Sequence, residues 1–262
     1  MNPVTFTLDV EDHVPAHHDP RAPVVTRTIL EFCERRDIRG TFFVVGELAA
    51  EHPDLVRDIA AGGHELALHA WSHTHLTTMD EPRMRDDLRR GKDLLEDLAG
   101  RPVTGFRAPT FSLVPDTVWV TDVLAETGFT YSSSVLPARN PLHGWPGASR
   151  VPFRWDSGVV ELPCPVASIG SHANPYLGGI YLRLLPWWLI DFGLRRSAAG
   201  EVLWLYCHPY DFDPDEPFSQ RPDLSRHASR LQWLNRKRMF RRVERLMTAT
   251  GIAPPLGERA HV

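Results

Sequence analysis

Val4, Phe6, Leu8 and Val10 alternate with Thr5, Thr7, Asp9 and Glu11, the two-residue period of a strand whose second face turns polar toward its carboxyl end. Asp9 and Glu11 therefore point the same way. A helical stretch over about 24–36 leads to Gly40-Thr41-Phe42-Phe43-Val44-Val45-Gly46, which has the aromatic and β-branched content of a buried strand. The alternation then repeats. A helix over 53–61 closes at Gly62-Gly63 before a strand in His64-Glu65-Leu66-Ala67-Leu68. An amphipathic helix over 82–98, a turn at Gly100, a short strand at Gly105-Phe106-Arg107 and a helix over 116–127 follow. Repeated βα units at this spacing predict an α/β fold of barrel type.

From Tyr131 to Tyr181 the chain is rich in Pro, Gly and Ser, which predicts long loops and irregular strands over one end of the sheet, where a substrate site is commonly shaped. Order returns with a strand in Val202-Leu203-Trp204-Leu205-Tyr206 and a basic helix from about Ser225 to Met247, packed on what is expected to be a single domain over 1–262. No internal repeat is visible.

Composition narrows the function classes. With 42% hydrophobic and 24% charged residues the chain can close a sizeable core. A net charge of −4 offers no broad cationic face, so nucleic acid is not expected as a partner. Cys33, Cys164 and Cys207 lack CxxC spacing and sit among apolar neighbours, as buried thiols in a reducing compartment would. The first ten residues have neither the basic start nor the apolar run of a secretory signal. The most apolar later segment, Ile180 to Leu194, is broken by Arg183, Pro186 and Asp191, so no membrane span is expected and a cytoplasmic location is the simplest reading.

Candidate chemistry gathers where strands end. His69 and His73, four residues apart just after the third strand, can reach one metal ion, although such spacing in a chain with 13 histidines also arises by chance. Two histidines and one carboxylate leave coordination positions open, as a catalytic rather than a structural ion requires. Asp9, Glu11 and Asp12 exceed what one metal needs, which frees a carboxylate for general-base work; the alternative is a solvated acidic turn. Arg107 could orient Asp9, and backbone N–H groups at Thr110 or Phe111 could face an oxyanion, unless Arg107 is a surface residue. His208 ends the last strand where a general acid would stand, or a structurally satisfied histidine. His13, His17, His18 and His75 compete as ligands but match no single arrangement as well. Trp71, Trp145, Trp187 and Trp188 could stack on sugar rings or anchor core and loops.

In their order along the chain these segments resemble the polysaccharide deacetylase family, the NodB-homology or carbohydrate esterase family 4 group. Thr7-Leu8-Asp9-Val10-Glu11-Asp12 is similar to its first motif, Gly40-Thr41-Phe42-Phe43-Val44 to its second-strand block, and Gly63-His64-Glu65 with His69-Ala-Trp-Ser-His73 to its metal motif. Arg107-Ala-Pro-Thr-Phe111 resembles the third motif and Leu205-Tyr-Cys-His208 the last. The Asp-Val-Glu-Asp form, with Ser132-Ser133-Ser134 and Leu182-Arg183-Leu184-Leu185-Pro186, looks like the branch associated with exopolysaccharide and O-antigen gene clusters. The resemblance implies a distorted (β/α) barrel with seven strands, a divalent ion of the zinc type (cobalt or nickel being possible substitutes), and hydrolysis of an N-acetyl group on an amino sugar or glycan.

Carried onto this sequence, it assigns Glu11, His69 and His73 to the metal, with Asp12 as rival carboxylate. Asp9 becomes the base, held by Arg107; Thr110 and Phe111 face the oxyanion, and His208 is the acid. Two positions depart from the pattern. Val10 stands where a second adjacent aspartate is usual, and the fourth motif, whose aspartate supports the acid histidine, is not found, with Ser132 to Ser134 standing near its place. Alternatives are hydrolysis of another non-peptide C–N bond, in a small amide or ureide, and a glycan-binding barrel without catalysis. Oligomeric state is not legible.

Overall fold

The computed structural model describes residues 1–12, 20–169, 172–220 and 225–261. Along the chain, β1 (Val4–Val10), α1 (Ala22–Glu34), β2 (Thr41–Val44), α2 (Gly46–Glu51), α3 (Pro53–Ala61), β3 (Glu65–Leu68), α4 (Glu81–Ala99), β4 (Gly105–Phe106) and α5 (Val120–Glu126) form the alternating half. Beyond it come β5 (Tyr131–Ser132), β6 (Phe153–Arg154), β7 (Val160–Glu161), the hairpin of β8 (Val166–Ile169) and β9 (His172–Pro175), α6 (Gly179–Leu184), α7 (Trp187–Arg195), β10 (Leu203–Cys207), α8 (Arg226–Trp233), α9 (Met239–Thr250) and β11 (Ile252–Ala253).

The main sheet runs in the order β10-β1-β2-β3-β4-β5-β7-β6, and β11 pairs β1 at Val4 and Thr5, beyond the register that β2 takes from Thr7 onward. It curls into a half-barrel. From β10 to β7 every pairing is parallel, which gives the seven strands expected; β6 adds an antiparallel edge strand. Because neighbouring strands are parallel, the residues that follow β1, β3, β4 and β10 emerge at one end, where parallel α/β sheets place their chemistry.

Strand alternation separates two apolar layers. Val4, Phe6, Leu8, Phe42, Leu66, Leu68, Leu203 and Leu205 face the helices, together with Ile29 of α1, Leu55 of α3 and Leu88 of α4. Phe43, Ala67, Tyr131 and Trp204, of opposite parity, fill the concave side. The polar face of β1 is therefore not solvated: Thr5, Thr7 and Asp9 are buried inside the curl.

Local chemistry explains the helix limits. Asp80 caps α4 by accepting from the Arg83 N–H, and Gly100 ends it at φ 65°, a left-handed conformation that glycine adopts without strain. The expected continuous helix over 225–247 is corrected: Leu234 is extended and Asn235 left-handed at φ 62°, so α8 and α9 are separate. Arg183 stabilises the break by donating through Nη1 to the carbonyls of Gln232 (2.9 Å) and Leu234 (2.7 Å). The apolar segment 180–194 is likewise split at Pro186 into α6 and α7. Among the described residues no helix is long and apolar enough to cross a membrane.

Candidate active site

Asp9 lies one residue from the end of β1, and Arg107 follows β4; the two close on each other inside the curl. Arg107 Nη1 donates to Asp9 Oδ1 (2.5 Å) and Thr7 Oγ1 (2.8 Å), and Nε donates to Ser133 Oγ (2.9 Å). The guanidinium carbon sits 3.8 Å from the centroid of Phe43 and 4.3 Å from that of Trp204. The surface alternative for Arg107 is thereby excluded: it is fully buried. Aromatic faces and paired oxygens together replace the water it lost.

Glu11 leaves β1 toward the two histidines. Its Oε2 lies 2.5 Å from His73 Nε2 and 3.7 Å from His69 Nε2, and these groups form a cluster able to hold a metal ion. His69 is oriented by its own partner: Nδ1 lies 2.9 Å from the carbonyl of Arg107, which only accepts, so Nδ1 carries the proton and Nε2 a lone pair. Burial holds this imidazole neutral, down at about 4. A lone pair thus faces a carboxylate oxygen in a buried site, and a cation between the two resolves that mismatch, so the residues fit a divalent ion.

Of the rival ligands, Asp12 is drawn away. Its Oδ1 accepts from the backbone N–H groups of Arg21 (3.0 Å) and Ala22 (2.8 Å) and closes the start of α1. His75 instead meets His143, Nδ1 to Nε2 at 3.3 Å. His13, His17 and His18 lie outside the described residues.

His208 follows β10 and points Nε2 toward the acids, 3.7 Å from Glu11 Oε1 and 3.9 Å from Asp9 Oδ2. Its other nitrogen finds the partner that sequence left missing: Asp211 Oδ2 lies 3.1 Å from Nδ1 and accepts from the His208 N–H at 2.9 Å. Arg183 in turn pairs with Asp211 Oδ1 at 2.8 Å, both side chains being buried. Burial opposes the charged imidazole, but the Asp211 hydrogen bond and the charges of Glu11, Asp211 and Asp9 outweigh it and hold His208 up at about 9. A signal for Asp211 was present: a proline and an acid one and three positions past His208, the pattern of a capped helical turn. Ser132 to Ser134 play a different part, with Ser133 meeting Arg107 and Ser134 Oγ accepting from the Ala108 N–H.

Thr110 and Phe111 both adopt left-handed backbone, at φ 54° and 55°, as do Ala70 (60°) and His73 (51°) in the histidine loop. Non-glycine residues bear such strain where the surroundings over-determine them, often at functional sites. Phe111 is removed as an oxyanion donor, because its N–H is spent on the carbonyl of Ala108 (3.1 Å) and its ring packs edge-on against Tyr206. Thr110 remains the candidate of the pair. Trp71 is not a sugar platform either: it is buried against Gly46 with Arg90 over its ring. A cleft of about 650 Å³ opens beside the site, reached by Glu11 and His73 and walled by Leu48, His52, Ser72 and Glu216.

Residues 4–132 match the polysaccharide deacetylase family model, and residues 133–252 match a domain of unknown function, DUF3473. The chain is 28% identical over 131 residues to a chitooligosaccharide deacetylase of a Bradyrhizobium species, covering 49% of this chain and 57% of that one. It is 30% identical over 98 residues to a peptidoglycan-N-acetylglucosamine deacetylase of Bacillus cereus, covering 37% and 36%. These matches thus span from about a third to just over half of the relatives' own length. The crystal structure of a provisionally assigned polysaccharide deacetylase from Mycobacterium smegmatis superposes with a TM-score of 0.64 at 25% identity, over 98% of this chain and 88% of that one. Residues 4–132 are thus similar to the polysaccharide deacetylase family, and nearly the whole chain shares the fold of the Mycobacterium smegmatis structure.

Proposed function

We propose that this protein is a metal-dependent N-deacetylase that releases acetate from an amino sugar in a cell-surface polysaccharide or its precursor. The observation that carries the reading is the meeting of three units at the strand ends: Asp9 with Arg107, Glu11 with His69 and His73, and His208 with Asp211. Acyl transfer from nitrogen needs a base, a stabilised oxyanion and an acid for the leaving amine, and each unit suits one of these needs.

Glu11, His69 and His73 would hold a divalent cation, zinc by preference since two of its three ligands are imidazoles. Such an ion polarises an acyl oxygen and lowers the pKa of water. Asp9 acts as base through Oδ2, because Arg107 occupies Oδ1 and aims the carboxylate, and it takes a proton from the water that adds to the acyl carbon. The Thr110 N–H faces the developing oxyanion. His208, protonated and held by Asp211, delivers the Nε2 proton to the departing amine, so a free amino sugar and acetate result. A saccharide unit occupies the cleft beside His73, where Ser72 and His52 offer polar contacts.

The two matched regions act as one unit in this reading, since residues 4–132 supply metal ligands and base while residues 133–252 supply acid and positioning groups. Acetate release from N-acetylated glycans by metal-stripped and zinc-reloaded protein tests it. Metal-restored release supports the reading; release from a small amide or ureide alone, or from nothing despite a filled site, rejects it.

A further inference from the structure

The apolar segment that sequence singled out over 180–194 is absorbed by no part of the site, and it ends at the surface. Pro186 turns the chain from α6 into α7, where Trp188 stands 67% exposed. Trp187 beside it lies under arginines of α9, with the guanidinium carbon of Arg245 at 4.1 Å from its ring and that of Arg242 at 5.7 Å. Leu184, Leu185 and Phe192 are half-buried along the same two helices.

Charge is arranged around this ridge with one sign. Arg238, Arg241 and Arg245 are exposed on α9 and its preceding turn, and Arg242 ties α9 to the end of α6 by donating through Nε to the carbonyl of Leu182 (2.6 Å). Burial first, then Arg245, Arg238 and Arg241, push the Arg242 guanidinium below its ordinary value. The acids nearest in sequence are already engaged: Asp191 pairs with Arg195 at 2.7 Å and Glu244 with Arg36 at 2.5 Å.

We propose that the α6–α7 ridge and the α9 arginines form a docking surface for an anionic lipid bilayer. Tryptophan beside arginine, on an apolar ridge flanked by basic side chains, is the chemistry that seats a protein at the headgroup boundary. Several uncompensated arginines supply the attraction to anionic headgroups that apolar contact alone lacks. A second copy of this chain is a poor occupant, because a two-fold contact would bring the arginine cluster against itself. Surface association is also what the helices permit, since none described here can cross the bilayer. The surface reaches the site through Arg183, which lies on α6 and holds Asp211.

The test uses the full chain and vesicles containing about 40% phosphatidylglycerol in phosphatidylcholine, with pure phosphatidylcholine as comparison. Cosedimentation is expected with the anionic vesicles only, weakening as salt rises. Arg241→Gln with Arg245→Gln lowers partitioning roughly 30-fold, the ratio that about 1 kcal/mol per arginine gives. Brominated acyl chains quench a part of the tryptophan fluorescence that Trp188→Phe removes. These three positions are exposed, and unchanged thermal unfolding confirms intact folding. Equal binding to both vesicle types, binding indifferent to the arginine substitutions, or retention on DNA without retention on vesicles overturns the proposal.

Discussion

Asp9 and Arg107, 98 positions apart in sequence, meet at 2.5 Å with side chains 5% and 1% exposed. Two strands of a parallel sheet bring them together, and neither charge has water to return to. Removing one partner leaves the other buried and unpaired. Arg107→Met is therefore expected to lower unfolding free energy by about 3–5 kcal/mol, read from urea denaturation. Arg107→Lys should recover little, because an ammonium cannot reach Asp9, Thr7 and Ser133 as the planar fork does. A loss below about 1 kcal/mol would assign the pair no structural weight.

Asp211 is the partner that prepares His208. Asp211→Asn removes the charge that raises the imidazole and is expected to slow turnover by about 10²–10³-fold, within the range for acid–base groups. The direction of the pH effect follows from the sign of the shift. Since His208 is held up at about 9, its acid form persists through neutral pH and is lost as pH rises past that value. In the variant the basic limb of kcat should move to lower pH. A limb that stays in place while kcat falls would give Asp211 a purely structural part.

His64 provides a separate pH effect, on stability. It is 2% exposed, its Nδ1 accepts from the Gly40 N–H at 3.2 Å, and burial together with Arg101 and Arg39 pushes it down to about 4. The fold accommodates the neutral ring, so its contribution is complete above the ordinary value of 6.5 and is lost as pH falls toward 4. The loss amounts to about 3 kcal/mol at most. Urea midpoints at neutral and acid pH should fall further for the native chain than for His64→Gln, which keeps an acceptor for Gly40 without titrating. Parallel falls would remove His64 from the account.

Metal removal should be visible in stability as well as rate. An ion that binds the folded chain a hundredfold above its Kd adds about 2.7 kcal/mol, so chelator should lower the unfolding midpoint and zinc should restore it. In His73→Ala the response to zinc should shrink, since Nε2 lies 2.5 Å from Glu11 and supplies one ligand of three. An unchanged response would move the ion elsewhere.

Much of this was legible in the chain. The two-residue period of β1 placed Asp9, and the short βα repeats placed His69, Arg107 and His208 at strand ends, because both signals are local. Periodicity did not show that Thr5, Thr7 and Asp9 face an interior, since a polar face reads alike in water and inside a curled sheet. Sequence favoured Glu11 over Asp12 as the metal carboxylate with Asp12 a rival, and the start of α1, which claims Asp12, separates the two further. The long helix over 225–247 failed because Arg183, some fifty residues earlier, takes the carbonyls on which continuation depends. Phe111 failed as an oxyanion donor because a tight turn uses its N–H first.

The measurement closest to the central claim compares acetate release from N-acetylated sugars and chitooligosaccharides by the zinc-loaded native chain and by zinc-loaded Asp9→Asn. Asparagine keeps the shape and an acceptor for Arg107 but cannot take a proton. The account predicts zinc-dependent acetate from the native chain, and from the variant a rate lower by about 10³-fold or more with zinc affinity unchanged. Equal rates from the two proteins, or no acetate from a native chain whose zinc site is filled, would contradict it.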